Sequence, residues 1–518
     1  MGKGVSHRVT VRRPQTLAAC LADFARQVRE LVLADLQRGA QARLAALYEQ
    51  ARREITPALT LDEFADLLAQ ALVYVLLLAR RTSQERAGPF AEAIRALLRL
   101  PALPPFVHAM LKTLWRDSAR GADELVRCVR ELASFLMRTD LRILLEKLRP
   151  LCLQGDPLIY FYEIFLTAYA PRQRSQRGVY YTPEPVITYM VRSIDELLRE
   201  KFGYADGLAG ALLQERREDG VVLCDPACGI GAFLWAVLER VRRTTHTDDA
   251  AARVLPRLVG CEITPSAYLL ASLELAVRHE AWWAGEAAPA RLFLTNALAE
   301  ARLPELSAAD LPVILGNPPY AGHSLNHSQR LGRLLESYKL GDADLKRPAQ
   351  AKWLSDDYVQ FLRLAQWQVE QAGRGIVAFL TNHSYLDNPT FRAMRLSLLR
   401  SFDEIYILDL HGNSKRRELA PDGEPDRNIF TIQQGVAIGL FVKYARSPAS
   451  AGFAGTPPER TYRRRQAAPL AGVYHADVWG QRAVYATGMH GARQLSGGKL
   501  GWLAEHTRAN TPWQICHP

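Results

Sequence analysis

From about residue 156 the chain repeats one pattern: a short apolar run rich in β-branched residues, an amphipathic helical stretch, then another short run. Runs of this kind fall at 221–224, 258–261, 292–294, 313–315, 375–379, 405–408 and 436–442, with helical stretches at 232–243, 266–279, 357–371 and 390–401 between them. Strands linked through helices are parallel neighbours, because a parallel pair needs a long crossover whereas an antiparallel pair needs only a hairpin. Their near-continuous apolar character places them inside a sheet covered on both faces. The pattern therefore predicts an α/β fold with a mostly parallel, seven-stranded, Rossmann-like sheet. The last two runs are joined by a polar stretch, 414–428, with no helix, so this pair is expected to be antiparallel.

Residues 15 to about 150 carry the other period. Leu17, Leu21, Phe24, Val28, Leu31 and Leu36 recur every three or four residues, and Pro101, Pro104 and Pro105 break the run. An all-helical region of two or more hairpins follows from this, used for structure or docking, since no cluster of His, Cys or acids in it has chemical spacing. Beyond about 445 regular patterning stops. The expected organisation is a helical domain over 1–155, an α/β domain over 156–445 and a third region over 446–518.

A 518-residue chain with 48% hydrophobic and 23% charged residues excludes a disordered or collagen-like protein. Its net charge of +11 favours a polyanionic partner. That excess is uneven: residues 446–518 hold nine Lys/Arg against three acids, and residues 1–60 hold ten against five, so 61–445 nets to zero. The last segment also contains Tyr462, Tyr474, Trp479, Tyr485, Trp502 and Trp513, a mixture suited to phosphate contact and base stacking, although an ordinary solvated basic module has the same composition. Seven scattered cysteines without a C-x-x-C pair exclude a dense disulfide framework and fit a reducing, cytoplasmic setting. The longest apolar run, 71–79, is too short to span a bilayer, so no membrane is expected.

Three short motifs carry chemistry. Asp225-Pro226-Ala227-Cys228-Gly229-Ile230-Gly231 follows the first strand and opens a helix, and glycines there let a ligand approach the backbone at the carboxyl end of a parallel strand. It is not the dinucleotide fingerprint, because Leu234 stands at the third glycine position. One crossover later, Glu262-Ile263 ends the next strand, where a carboxylate can accept from both hydroxyls of a ribose. Asn317-Pro318-Pro319-Tyr320 follows the fourth strand. Two prolines stiffen the backbone, so the Asn317 amide oxygen and the Pro318 carbonyl can both accept from one amino group, and Tyr320 offers a face for the base that carries it.

In this order the motifs resemble the S-adenosylmethionine-dependent DNA adenine-N6 methyltransferases. Gly178-Val179-Tyr180-Tyr181-Thr182-Pro183 is similar to the family motif that closes over the cofactor's methionine end. The Asp225 turn is similar to its glycine motif, Glu262 to its acidic motif, and Asn317 to Tyr320 to its catalytic tetrapeptide. The resemblance implies that Tyr181, Thr182, Pro183, Asp225, Ala227, Gly229, Gly231, Glu262, Ile263 and Asn296 bind S-adenosylmethionine. Asn296 stands where the family usually has an adenine-facing acid, and Ile230 where it often has Ser or Thr. The catalytic group is Asn317, Pro318, Pro319 and Tyr320. Tyr320 and Phe430 contact the flipped base, with Phe430 equally suited to a core role, and no metal is required. A closer likeness is to the methyltransferase part of type ISP and type IIG restriction-modification enzymes, through 356–361, 381–392 and 408–414.

The resemblance implies a site-specific, adenine-specific DNA methyltransferase in a restriction-modification or phage-defence system. It implies double-stranded DNA as partner, nuclease or helicase subunits acting in trans, and 446–518 as a partial, truncated or split target-recognition region. Two other readings stay open: an amino-methyltransferase acting on RNA or protein glutamine, and a catalytically weak recognition subunit that serves a nuclease or helicase.

Overall fold

The computed structural model describes residues 11–39, 42–85, 88–100, 103–116, 123–149, 156–170, 182–213, 220–245, 253–282, 290–300, 303, 306, 311–320, 324, 326, 328–339, 352–444, 469–487 and 493–516. The chain divides into two units: 1–175 with 264–281 and 487–494, and 176–263 with 282–486 and 495–518.

The first unit is helical. Its centre is the helix Leu61–Glu85, buried from Phe64 to Ala79 except for half-buried Asp66, and exposed over its first turn. A helix apolar on all sides must be enclosed on all sides, and Pro14–Arg38, Phe90–Leu97, Pro105–Leu111 and Glu124–Arg138 pack around it. The helix Pro157–Tyr169 belongs to the same unit. Asp156 caps it by accepting from Leu158 N–H at 2.8 Å, and Pro157 takes the first helical position, where its missing N–H costs nothing. Tyr162 then meets Tyr74 edge to face at 5.0 Å, and Tyr169 Oη donates to Asp66 at 2.5 Å. The expected boundary at 155 marks a helix cap; compact helical packing continues past it.

The second unit is built on a sheet of nine strands: β1 (Val221–Asp225), β2 (Leu258–Glu262), β3 (Arg291–Leu294), β4 (Leu311–Gly316), β5 (Gly375–Asn382), β6 (Glu404–Asp409), β7 (Val436–Lys443), β8 (Gly472–Asp477) and, beyond a separate pair formed by β9 (Val484–Thr487) and β10 (Arg493–Gly497), β11 (Gln514–Cys516). The order is β11-β8-β6-β7-β5-β4-β1-β2-β3. Strands β1 to β5 pair in parallel, β7 is antiparallel to both β5 and β6, β6 and β8 are parallel, and β11 is antiparallel to β8. All seven expected strands are present, and the last two of them pair antiparallel as their polar connection implied.

The expected seven-stranded sheet is corrected to a nine-stranded mixed one. The additional strands come from the segment assigned to a separate third region. β8 pairs along the whole of β6, and Tyr474 stacks on Tyr406 with ring centroids 4.6 Å apart. The helix Gly498–Glu505 packs on the helix Glu184–Phe202, where Arg192 donates to Ala504 O at 3.1 Å and Tyr189 Oη lies 3.0 Å from Thr511 Oγ1. The described part of 446–518 is therefore integral to the α/β unit. Its strands were hard to see because they are short, β8 half-exposed and β11 exposed at the sheet edge, with little apolar alternation.

Lys499 shows how firmly this segment is held. The side chain is fully buried, and its ammonium donates to Asp426 Oδ2 at 2.6 Å and to Leu410 O at 2.5 Å. Asp426 in turn accepts from Gly480 N–H at 2.6 Å. Truncating one partner strands the other charge in the interior, which costs about 3–5 kcal/mol. Lys499→Ala should lower unfolding stability by that order in denaturant titration, and Lys499→Met in an Asp426→Asn background should recover much of it.

Candidate active site

Strand order reverses between β1 and β4: β2 and β3 lie on one side, β5 and the rest on the other. In an open parallel sheet such a reversal splays the two crossover connections apart and leaves a crevice at the carboxyl ends of the strands. Asp225 ends β1 and Gly316 ends β4, so both chemical motifs leave the sheet at this crevice.

The turn after β1 is shaped by hydrogen bonds. Asp225 Oδ1 accepts from Ala227 N–H at 3.1 Å, Cys228 N–H donates to Cys261 O at 2.9 Å across to β2, and Gly231 N–H donates to Cys228 O at 2.8 Å. Gly229 has φ +55° and Gly231 φ +82°, left-handed backbone that glycine adopts without penalty. A Cβ at Gly229 would meet nothing within 4 Å, so the space beside that backbone is open. Glu262, at the end of β2, accepts from Gly229 N–H through Oε2 at 3.0 Å, and its own carbonyl accepts from Thr295 N–H at 2.9 Å. The next residue, Ile263, is 61% exposed, a large apolar side chain held in the open beside a carboxylate.

Asp225 is almost fully buried. It lies so close to β4 that a Cβ on Gly316 would come within 2.6 Å of its Oδ1; Gly316 also has φ +155°. Burial pushes the Asp225 carboxyl up to about 8, the Ala227 N–H opposes that rise, and the charge of Glu262 adds to it.

On the other wall, Asn317 donates through Nδ2 to Thr182 Oγ1 at 3.0 Å. An amide nitrogen committed to Thr182 fixes the side-chain rotamer and turns the oxygen into the atom that meets an incoming donor. Thr182 and Pro183 are buried at the start of the helix Glu184–Phe202. Pro318 and Tyr320 are buried, Pro319 half-buried.

Asn296 is hydrogen-bonded within the chain. Its Oδ1 accepts from Leu298 and Ala299 N–H, each at 3.1 Å, capping the short helix Ala297–Glu300, and its Nδ2 donates to Asn326 Oδ1 at 2.6 Å. Asn326 passes the connection on to Asp357 at 3.0 Å. With two donors on the amide oxygen, capping accounts for this residue. Phe430 is buried, its N–H donating to Asn428 Oδ1 at 2.8 Å, in the connection that leads into β7. Tyr181 lies outside the described residues, as do 178–180 of the same motif.

One cluster was not assigned a role from the sequence. His383 follows β5, Asp409 ends β6, His411 is two residues on, and Asp477 ends β8. His383 Nδ1 lies 3.0 Å from Asp409 Oδ1, His411 N–H donates to the same oxygen at 2.9 Å, and His411 Nε2 lies 2.7 Å from Asp477 Oδ1. Trp479 stacks on the His411 ring at 3.3 Å, and Asn413 Nδ2 lies 3.3 Å from His383 Nε2. Gly435 leaves room for the His383 ring, since a Cβ there would come within 2.3 Å of it. The donor atoms of His383, Asp409 and His411 all lie within 4.8 Å of one another, and their mutual hydrogen bonds account for that proximity. The cluster ties the β5, β6 and β8 ends together on the rim that carries Asn317. Its signal in the sequence was Asp-x-His-Gly at a strand end, with His411 at φ +50° and Gly412 at φ +85°.

The geometry defines an α/β protein with a ligand crevice at a topological switch point, an acidic and glycine-lined wall on one side and an Asn-Pro-Pro-Tyr wall on the other. Residues 154–383 match the family model for N-6 DNA methylases, the resemblance that the motif order implied. In fold it is similar to three solved structures. One is a DrdV–DNA complex (TM-score 0.62, 19% identity, 98% of this chain and 45% of that one). Another is a nuclease-deletion mutant of the type ISP restriction-modification enzyme LlaGI with a DNA substrate mimic (TM-score 0.62, 18% identity, 99% and 38%). The third is the ATP-dependent type ISP restriction-modification enzyme LlaBIII bound to DNA (TM-score 0.60, 18% identity, 91% and 30%). The chain spans less than half of each of these proteins. No described helix is long and apolar enough to cross a membrane.

The elevated Asp225 carboxyl has a consequence for the ligand-free protein. Its ordinary value is 3.8 and its folded value about 8. A carboxyl raised on folding contributes stability that is complete below about pH 4 and is lost as pH rises through about 8. Asp225→Asn keeps an oxygen for the Ala227 N–H and has no proton to lose. Unfolding free energies measured from pH 4 to 9 without ligand should therefore fall for the wild type and stay flatter for Asp225→Asn.

Proposed function

We propose that this chain transfers a methyl group from S-adenosylmethionine to the N6 amino group of adenine in double-stranded DNA, as the site-specific modification component of a restriction-modification or phage-defence system. The observation that carries this reading is the placement of Asn317-Pro318-Pro319-Tyr320 directly across the β1/β4 crevice from the Asp225 turn and Glu262, inside the stretch that matches the N-6 DNA methylase family.

The residues present fit the cofactor. The open space beside Gly229 admits a ligand against the backbone. Glu262, oriented by the Gly229 N–H, stands at the end of β2 where a carboxylate can accept from ribose hydroxyls, and exposed Ile263 supplies an apolar surface for the face of an adenine. Asp225, Ala227 and Gly231 shape that wall, with Thr182 and Pro183 at the opposite end of the crevice. Asn296 supports the adenine side through the helix it caps. Bound S-adenosylmethionine supplies an electrophilic methyl group on a sulfonium.

The chain's own task is to make an amino nitrogen attack. The nitrogen lone pair of adenine is delocalised into the ring, and two acceptors on its hydrogens draw it towards a pyramidal, nucleophilic form. Asn317 Oδ1 and the Pro318 carbonyl are those acceptors, with Thr182 holding the Asn317 amide in register. Oriented dipoles in a water-poor site contribute several kcal/mol without reorganising during the reaction. The target atom is shielded in a stacked duplex, so the adenine rotates out, at a cost of a few kcal/mol, and rests on Tyr320 with Phe430 lining the far side. Tyr320 is buried, so base entry requires its surroundings to open. Residues 446–518 contribute target recognition, and nuclease or helicase subunits act in trans.

Asn317→Ala is expected to lower methyl incorporation from labelled cofactor into DNA by at least ~100-fold, with calorimetric cofactor affinity changed less than threefold. Wild-type incorporation by the variant, or label appearing in RNA or protein rather than as N6-methyladenine, would overturn the assignment.

A further inference from the structure

We infer that the connection between β6 and β7 carries a phosphate-gripping prong, Lys415-Arg416-Arg417, which holds the DNA backbone beside the flipped adenine. The inference rests on the methyltransferase reading and assigns the partner contact that the composition had placed in the C-terminal segment.

Charge placement comes first. Of the C-terminal cations with described surroundings, Lys499 is spent on Asp426, Arg508 is buried, paired with Glu200 and lying over the Tyr406 ring, and Arg482 is half-buried. Lys415, Arg416 and Arg417 are by contrast all exposed and consecutive. Among the acids around them, Glu418 accepts from Asn413 N–H at 2.8 Å and Asp387 pairs with Arg416 at 2.6 Å, while Asp422 and Glu424 of the same connection are exposed.

Position comes second. β4 and β6 run the same way and are separated by β5 and β7, so their carboxyl ends lie three strand spacings apart, about 14 Å. That distance corresponds to about four base-pair rises of ~3.4 Å along a duplex axis. A duplex that presents its adenine to Asn317 and runs towards β6 brings its backbone over this rim.

Rigidity comes third. The foot of the prong is fixed by the His383–Asp409–His411 cluster, by Asn428 Nδ2 donating to Gly412 O at 3.1 Å and to Gln434 O at 2.6 Å, and by the bridge between Leu419 and Pro425. Arg417 sits at φ +51°, a left-handed conformation uncommon for a residue with a Cβ. An anchored cationic turn loses little freedom on meeting a phosphate.

The test is the salt dependence of binding to a mixed-sequence duplex of about 30 base pairs, read by fluorescence anisotropy, since phosphate contacts set the log–log slope at ~0.9 per contact. K415Q/R416Q/R417Q should reduce the slope magnitude by about 2 to 3 and weaken binding at least tenfold near 0.15 M salt, with cofactor affinity unchanged. K415Q/R417Q, which keeps the Arg416–Asp387 pair, should give a reduction of about 2. A triple variant whose slope matches the wild type overturns the prong, even where the wild type methylates DNA normally. A wild type that binds cofactor but neither binds duplex nor methylates it overturns the functional reading, and the prong with it.

Discussion

The crevice depends on a missing atom. Gly316 has no Cβ, and that gap lets the Asp225 carboxyl lie against the end of β4 where the sheet order reverses. Any larger residue at 316 would push β4 from β1 or turn the carboxyl away, and either movement would disturb the Ala227 contact and the path of the glycine turn. Asn317 follows directly, so the same backbone that accommodates Asp225 also aims the Asn317 amide. The two walls of the crevice are thus set by one close approach between neighbouring strands. The cost is a carboxyl driven towards its neutral form when no cation is near. A positively charged ligand would reverse that cost by favouring the ionised acid.

A second constraint acts along the rim. Three strand ends are joined through His383, Asp409, His411 and Asp477, a chain of polar groups with Trp479 closed over one ring. Buried polar groups at these ends would each cost free energy if left alone, and pairing them with one another converts that liability into a defined arrangement. Asp409 stays below the usual carboxylate range although burial opposes it, because the His383 hydrogen bond and the charges of His383 and His411 favour its ionised form. Phe430, Asn428 and the basic turn after His411 all hang from this rim, so its order is inherited by whatever those loops touch.

Much of this was legible in the chain. Seven strands were visible because buried strands need uninterrupted apolar runs, and the glycine turn and the Asn-Pro-Pro-Tyr motif were visible as segments that follow two of them. What was not legible depends on partners distant in sequence. Nothing local in 472–477 or 514–516 shows that β6 leaves an edge to be completed, and nothing near Asn296 shows that two backbone N–H groups will claim its oxygen. Thr182 and Asn317 are 135 residues apart. Charge counting was least informative, because a segment total does not separate Lys499, wholly enclosed, from an arginine in solvent. The distinction between an interior ion pair and a surface cation exists only after folding.

The two C-terminal strands bear on how such proteins diversify. A reader module that merely follows its catalytic domain can be exchanged by recombination at the linker, leaving both parts intact. Here β8 supplies the hydrogen-bonding partner for the whole of β6, and Asp477 closes the polar chain at the rim. A crossover at 445 would leave β6 as a raw edge, open to pairing with another chain and prone to aggregate. A segment can be exchanged in this architecture without exposing an edge only where it enters and leaves between strands, as an insertion that leaves the sheet itself unbroken.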